Sequence, residues 1–154
     1  MKSMVLALFC LVAINGFAAK RPDFSGSWEF NAVKSKNVGM MSQAKMTQTI
    51  QQTASTLDVV THSVFQGSDQ DMKTHYDLTG NPATNDSPMS GTSETVSKWD
   101  GDKVVTSWTS QSAVAGGPKV VSVETRSLSS DGKTMTVESV RGTNPPFVMV
   151  FDRK

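Results

Sequence analysis

The sequence predicts an all-β protein, an antiparallel up-and-down meander of about eight to ten strands closed into a β-barrel. Three observations predict it. After residue 44 the chain reads as short runs rich in Val, Thr, Ser and aromatics, parted by Gly, Asp, Asn and Pro. No run sustains a helical period. Asp-Gly stands between strand-like runs at Asp100-Gly101 and at Asp131-Gly132, the chemistry of tight hairpin turns.

The first 19 residues stand apart. Met1-Lys2-Ser3-Met4 is a short basic start, Val5 to Ile14 is an unbroken apolar run, and Gly16-Phe17-Ala18-Ala19 offers small residues for cleavage. This is the pattern of a cleaved secretory signal peptide, with the cut after Ala18 favoured over Ala19 because it places Gly16, not Phe17, three positions earlier. The run falls well short of the roughly 20 residues that span a bilayer, and nothing later approaches that length. A secreted or periplasmic protein with no membrane span is expected, with residues 20–154 forming one domain. The single cysteine, Cys10, lies inside the apolar run, and the bulky Leu8-Phe9 before it do not suit lipid anchoring. Without it the chain has no disulfide, catalytic thiol or thiolate ligand. Removing Lys2 leaves 14 basic against 14 acidic residues, and no basic run appears, which argues against nucleic acid as a partner.

Strands are expected near 27–32, 45–52, 56–65, 71–78, 92–99, 102–109, 119–128, 133–141 and 147–152. Val33 to Ala44 is the one helical candidate, and Gly80 to Pro88 reads as the longest flexible loop. All six prolines then fall outside strand interiors, as the missing N–H demands of a central ladder. A two-residue turn at Asp100-Gly101 sets position 97 opposite 104 and puts Thr95, Ser97, Val104, Thr106 and Trp108 on the inner face. The turn at Asp131-Gly132 groups Val120, Glu124, Arg126 and Leu128 with Met135, Val137 and Arg141, and leaves open which face of that hairpin is inward. Nine strands in an open sheet would expose two edges, and closure removes both. The inward Thr and Ser suit a solvated cavity better than a dry core.

The stretch Asp23-Phe24-Ser25-Gly26-Ser27-Trp28 carries a Gly-x-Trp that resembles the motif of the calycin superfamily, the lipocalins and the intracellular fatty-acid- and retinoid-binding proteins. "KWDGDKV" at 98–104 and "ETRSLSSDGKTMTVES" at 124–139 resemble two later hairpins of the fatty-acid- and retinoid-binding group. The D-F-S-G-x-W start, Lys34-Ser35 and the terminal "FDRK" more closely resemble a group of secreted bacterial proteins of unassigned function. The resemblance implies a lipocalin-like barrel whose base is plugged by Gly26, Trp28 and Arg153, with the guanidinium stacked on the indole and bonded to nearby carbonyls. It also implies an interior arginine at Arg126. The Arg-x-Tyr with which the intracellular binders hold a ligand carboxylate on the last strand is absent, since Phe147-Val148-Met149-Val150 is apolar, and Val33 to Ala44 is short for their helical lid.

The expected function is the binding of a small apolar or amphipathic molecule inside the barrel. Leu57, Val59, Phe65, Met72, Val104 and Trp108 would bury it, and Tyr76, Thr106 and Arg126 would fix a polar end. Glu124 is the natural partner of an inward Arg126, against an exterior ion pair as the plainer reading. His62 and His75 would sit opposite one another about a turn near Ser68-Asp69, on the outer face with Asp58, Lys73 and Asp77, so neither a metal site nor a haem is expected. No cofactor is implied. No nucleophile elbow, phosphate loop or His-Glu-x-x-His is present, so an enzyme is not expected. The alternative is a solid barrel, a peptidase inhibitor or envelope adaptor, that binds through loops at 80–91 and 110–118.

Overall fold

The computed structural model describes residues 21–87, 91–112 and 114–154. The expected signal segment and Cys10 lie outside the described residues. Ten strands follow in order: β1 (Gly26–Phe30), β2 (Lys45–Gln52), β3 (Thr56–Phe65), β4 (Ser68–Asp77), β5 (Thr79–Ser87), β6 (Gly91–Asp100), β7 (Lys103–Ser110), β8 (Val120–Leu128), β9 (Thr134–Arg141) and β10 (Phe147–Arg153). They form one antiparallel sheet in the order β4-β3-β2-β1-β10-β9-β8-β7-β6-β5. The β1–β10 pairing, Trp28 opposite Arg153 and Phe30 opposite Phe151, brings the two ends of the chain together and nearly closes the barrel. One seam remains, between β4 and β5, the two ends of the sheet order.

β5 is a strand where a flexible loop is expected from its composition. Its Gly, Asn, Pro and Asp belong to a sheet edge: β5 pairs with β6 alone, and Pro82 sits at the register shift between Thr79 and Pro82, where a missing N–H costs no ladder bond. The expectation that every proline avoids a strand interior is corrected at this residue. The helical candidate Val33 to Ala44 yields only a short 3-10 helix, Gly39–Gln43. Asn37 and Gly39 take positive φ of 58° and 53°, and Lys36 pairs with Val148 as an isolated bridge, so no regular helix can run through.

Turn chemistry fixes the registers. β4 begins at Ser68 because the turn is Gln66-Gly67, both at positive φ, 50° and 79°, the requirement of a type I′ turn. His62 therefore faces Asp71 and His75 faces Asp58, which corrects the expected His–His pairing. The β6–β7 turn is centred on Gly101-Asp102 with Asp100 opposite Lys103, so Ser97 faces Thr106 and not Val104. Only Gly101 of that pair has positive φ, which moves the turn by one residue and the pairing by two. An even shift leaves the faces unchanged. The β8–β9 pairing sets Arg126 opposite Val137 and Leu128 opposite Met135. Arg126, Met135 and Val137 are buried while Val121 and Val123 are exposed, which fixes the sidedness of that hairpin.

The interior divides in two. Phe24, Trp28, Ile50, Leu57, Val59, Met135, Val137 and Phe151 make a dry core along β1, β2, β3, β9 and β10. Across from it, β6 and β7 turn Ser93, Thr95, Ser97 and Thr106 inward, each about as buried as the aliphatic core. Among the described residues no helix is long and apolar enough to cross a membrane.

Candidate functional site: a plugged base, a buried ion pair and a cavity at the mouth

At the base, Trp28 is fully buried and its indole N–H donates to the Phe24 carbonyl at 2.9 Å. The Arg153 guanidinium lies 4.2 Å from the centre of the Trp28 ring. It donates to the carbonyls of Ser25 at 2.7 Å, Asp23 at 3.2 Å and Gly132 at 2.9 Å, tying the start of β1 to the β8–β9 turn. Gly26 is needed for that route: its φ is +121°, and a Cβ there would stand 2.9 Å from Arg153 Nη1. The three residues thus form one structural unit at the base.

Midway up, Arg126 is 2% exposed. Its Nη2 lies 3.4 Å from a Glu124 carboxylate oxygen and 3.5 Å from the Tyr76 hydroxyl, and the hydroxyl donates to Glu124 at 3.1 Å. Its Nη1 donates to Gln48 Oε1 at 3.2 Å and touches the Met135 sulfur at 3.3 Å. The guanidinium also sits 5.6 Å from the centre of the Tyr76 ring, whose other neighbour is Trp108, edge-on at 6.1 Å. Burial, and next the Glu124 charge, push the Tyr76 phenol well above its usual pKa, with Arg126 pulling the other way, so Tyr76 stays a neutral donor. Burial penalises the charge on Arg126, but the oxygens of Tyr76 and Glu124 outweigh that penalty and raise its pKa. Arg126 Nε and Trp108 Nε1 are buried with no hydrogen-bond partner.

Above this cluster a cavity of about 390 Å³ opens at the barrel mouth. Met41 of the 3-10 helix, Ala44, and Met46 on β2 form one side; Thr61, Ser63 and Phe65 on β3, and Ser68, Gln70, Asp71 and Met72 on β4, form the other, with Asp86 of β5 at the seam. The volume falls within the range of small-molecule sites. Thr61 links the cavity to the buried ion pair, because its hydroxyl accepts from Gln48 Nε2 at 3.2 Å.

The residues expected to hold a ligand are thereby divided. Phe65 and Met72 line the cavity. Tyr76, Trp108, Val104, Thr106 and Arg126 point inward below it and are not in its wall. Leu57 and Val59 belong to the dry core. The hydroxyls expected to make a solvated lining are satisfied within the protein instead: Ser97 bonds to Thr106 at 2.8 Å and Thr95 accepts from the Asn85 amide at 2.8 Å, and beside them Ser93 bonds to Ser110 at 2.8 Å. Sequence reasoning passed over Met41, Met46, Gln48 and Thr61. Period-two reading of β2 puts Gln48 between Met46 and Ile50 on one face, a signal that could have found it.

The seam has its own clasp. Asn85, buried on β5, accepts from the His75 N–H at 2.8 Å and donates to the His75 carbonyl at 2.8 Å, so its amide supplies the two bonds that a neighbouring strand would. On the outer surface, His62 Nδ1 lies 2.8 Å from Asp71 and 3.4 Å from Asp69, and His75 Nδ1 lies 2.6 Å from Asp58. Among the described residues, His62, Asp69 and Asp71 are the one group spaced for a metal ion, and all three are exposed.

Solved structures share this architecture. A fatty acid transporter, REP1-NXSQ, aligns with TM-score 0.64 over 84% of this chain and 95% of its own at 17% identity. Lipid binding protein 8 of Caenorhabditis elegans aligns with TM-score 0.66 over 85% and 95% at 14% identity. Fatty-acid-binding protein 1 of Echinococcus granulosus aligns with TM-score 0.63 over 84% and 96% at 12% identity. The fold is a calycin-like barrel. At these identities the likeness concerns the fold alone. No protein-family model matches the chain, and no curated protein matches it in sequence. Within the calycin-like frame this chain has a short 3-10 turn over the mouth, between β1 and β2, and an ion pair under its cavity.

Proposed function

We propose that this chain is an exported, non-catalytic binding protein that carries a small apolar or amphipathic molecule in its barrel. The observation that carries the reading is the cavity of about 390 Å³ at the mouth, walled by Met41, Met46, Phe65 and Met72. Methionine side chains adapt to irregular apolar shapes, and burying ligand surface against them supplies the affinity. The fatty acid transporter and lipid-binding proteins of the same fold add support by likeness. Export rests on the basic, apolar and small-residue pattern of residues 1–19. A solid barrel acting through its loops is less well supported, since the interior holds a cavity and most of the 80–91 segment is spent on β5 and its hairpin with β6.

Native mass spectrometry of the protein from its own host, followed by denaturation, should release a stoichiometric small molecule. In parallel, N-phenyl-1-naphthylamine, a neutral fluorophore, should bind saturably, and Ala44→Trp, which fills the cavity, should abolish the signal. Uptake that survives Ala44→Trp unchanged, or no saturable uptake by the folded wild type, refutes the reading.

A further inference from the structure

The polar groups between the ion pair and the cavity all run in one direction. Arg126 has only donors, so the Gln48 oxygen must face its Nη1, and the Gln48 amide nitrogen is left to donate to Thr61. The Thr61 hydroxyl receives that bond and keeps its own proton free at the cavity wall. The same polarity holds elsewhere in the interior. Among the described residues, the buried side-chain atoms without a partner are Trp99 Nε1, Trp108 Nε1 and Arg126 Nε, every one a donor. The interior lacks acceptors.

Charge decides what kind of acceptor fits. Arg126 brings its own counter-ion, since the half-buried Glu124 lies beside it at 3.4 Å and the pair sums to zero. The cavity wall has no Lys, Arg or His among the described residues, and the two acidic residues that reach it, Asp71 and Asp86, are exposed, with the Asp71 carboxylate bonded to His62 on the outer surface. A ligand carboxylate would lose its water with no free cation in the wall to pair with. An uncharged oxygen would lose only a weakly held water and gain a waiting donor.

We infer that the ligand's polar end is an uncharged hydrogen-bond acceptor, an ester, ketone, amide or ether oxygen, received by the Thr61 hydroxyl. Glu124 acts as the specificity determinant against carboxylates by cancelling the Arg126 charge beneath the cavity. This rests on the barrel being a carrier.

The test is displacement of N-phenyl-1-naphthylamine at pH 8 by methyl dodecanoate, dodecanoate and dodecyltrimethylammonium, three chains that differ in the head group. Wild type should bind the ester at least about tenfold more tightly than the acid, the worth of one hydrogen bond plus an unpaired charge. Thr61→Val should weaken ester binding about fivefold to tenfold and leave the acid unchanged. Glu124→Gln, which strips Arg126 of its counter-charge, should tighten dodecanoate about tenfold. The inference is overturned if wild type prefers the acid or the ammonium chain, or if folded Glu124→Gln keeps the wild-type ranking. Should Glu124→Gln fail to fold by circular dichroism, Thr61→Val decides alone, and an unchanged ratio of ester to acid overturns it. If the fluorophore binds and Ala44→Trp blocks it while the head groups go undistinguished, the carrier reading stands and this one falls. If the fluorophore never binds, both fall.

Discussion

Replacing Gly26 by Ala should damage the barrel base through two separable effects, and a double-mutant cycle with Arg153→Ala measures each. The φ of +121° strains any L side chain, at a cost of about 1–3 kcal/mol. The new Cβ would also stand 2.9 Å from Arg153 Nη1 and push the guanidinium off the Ser25 and Asp23 carbonyls. Those bonds are charge-assisted but partly solvated, so losing them should cost about 1–2 kcal/mol. Gly26→Ala should therefore destabilise wild type by about 2–5 kcal/mol, but the Arg153→Ala background by only the backbone part, leaving a coupling of about 1–2 kcal/mol. Urea unfolding followed by Trp fluorescence reads all four corners. Each kcal/mol should also lower Tm by about 2–6 °C for a domain of this size. A coupling within about 0.5 kcal/mol of zero would show that Gly26 is required by its backbone alone and that the glycine does not clear a path for Arg153.

Three further outcomes follow from the same geometry. Arg126→Met should destabilise the fold by about 3–5 kcal/mol by stranding Glu124, and adding Glu124→Met should recover most of it, measured by thermal unfolding; equal loss in both variants would deny that the pair is a buried unit. Asn85→Leu removes both bonds to His75, so amide exchange along β4 and β5 should speed up while β8 and β9 stay protected, and uniform exchange would reject the clasp. The His62 imidazole should titrate above its ordinary value of 6.5, chiefly through its bond to Asp71 and then the charge on Asp69. Its contribution to stability is full below the unfolded value and is lost as pH rises through the folded one, and Asp71→Asn should bring the NMR titration back down.

The barrel was legible where sequence signals are local. Alternation in β3 and the Asp131-Gly132 hairpin each report on neighbours a few residues away, and period two survives even when a turn is misplaced by one residue, as at Gly101. β5 was not legible, because its composition answers to a one-sided edge and a bulge at Pro82, which look like a loop when the partner strand is unknown. Inward Tyr76 and Trp108 followed from alternation, but the cavity did not. Its place depends on how the 3-10 helix lays Met41 and Ala44 over β3 and β4, a tertiary contact with no periodic signature. Gln48 was passed over for another reason: a lone amide on an apolar face means little until the arginine it must satisfy, 78 positions along the chain, is known to face it.

The Ser and Thr lining of β6 and β7 first suggested a wet binding chamber, yet those hydroxyls are spent in pairs across neighbouring strands. A satisfied hydroxyl pair is compact and asks nothing of a ligand. The opposite holds for the Arg126 cluster, where Glu124, Tyr76 and Gln48 take up most of the guanidinium but leave Nε without an acceptor. Polar content alone therefore says little about where a barrel binds. What marks the site is the direction in which its hydrogen bonds are left unfinished. Here that direction runs from Arg126 through Gln48 to Thr61, and it ends at the wall of an apolar cavity large enough for a small ligand.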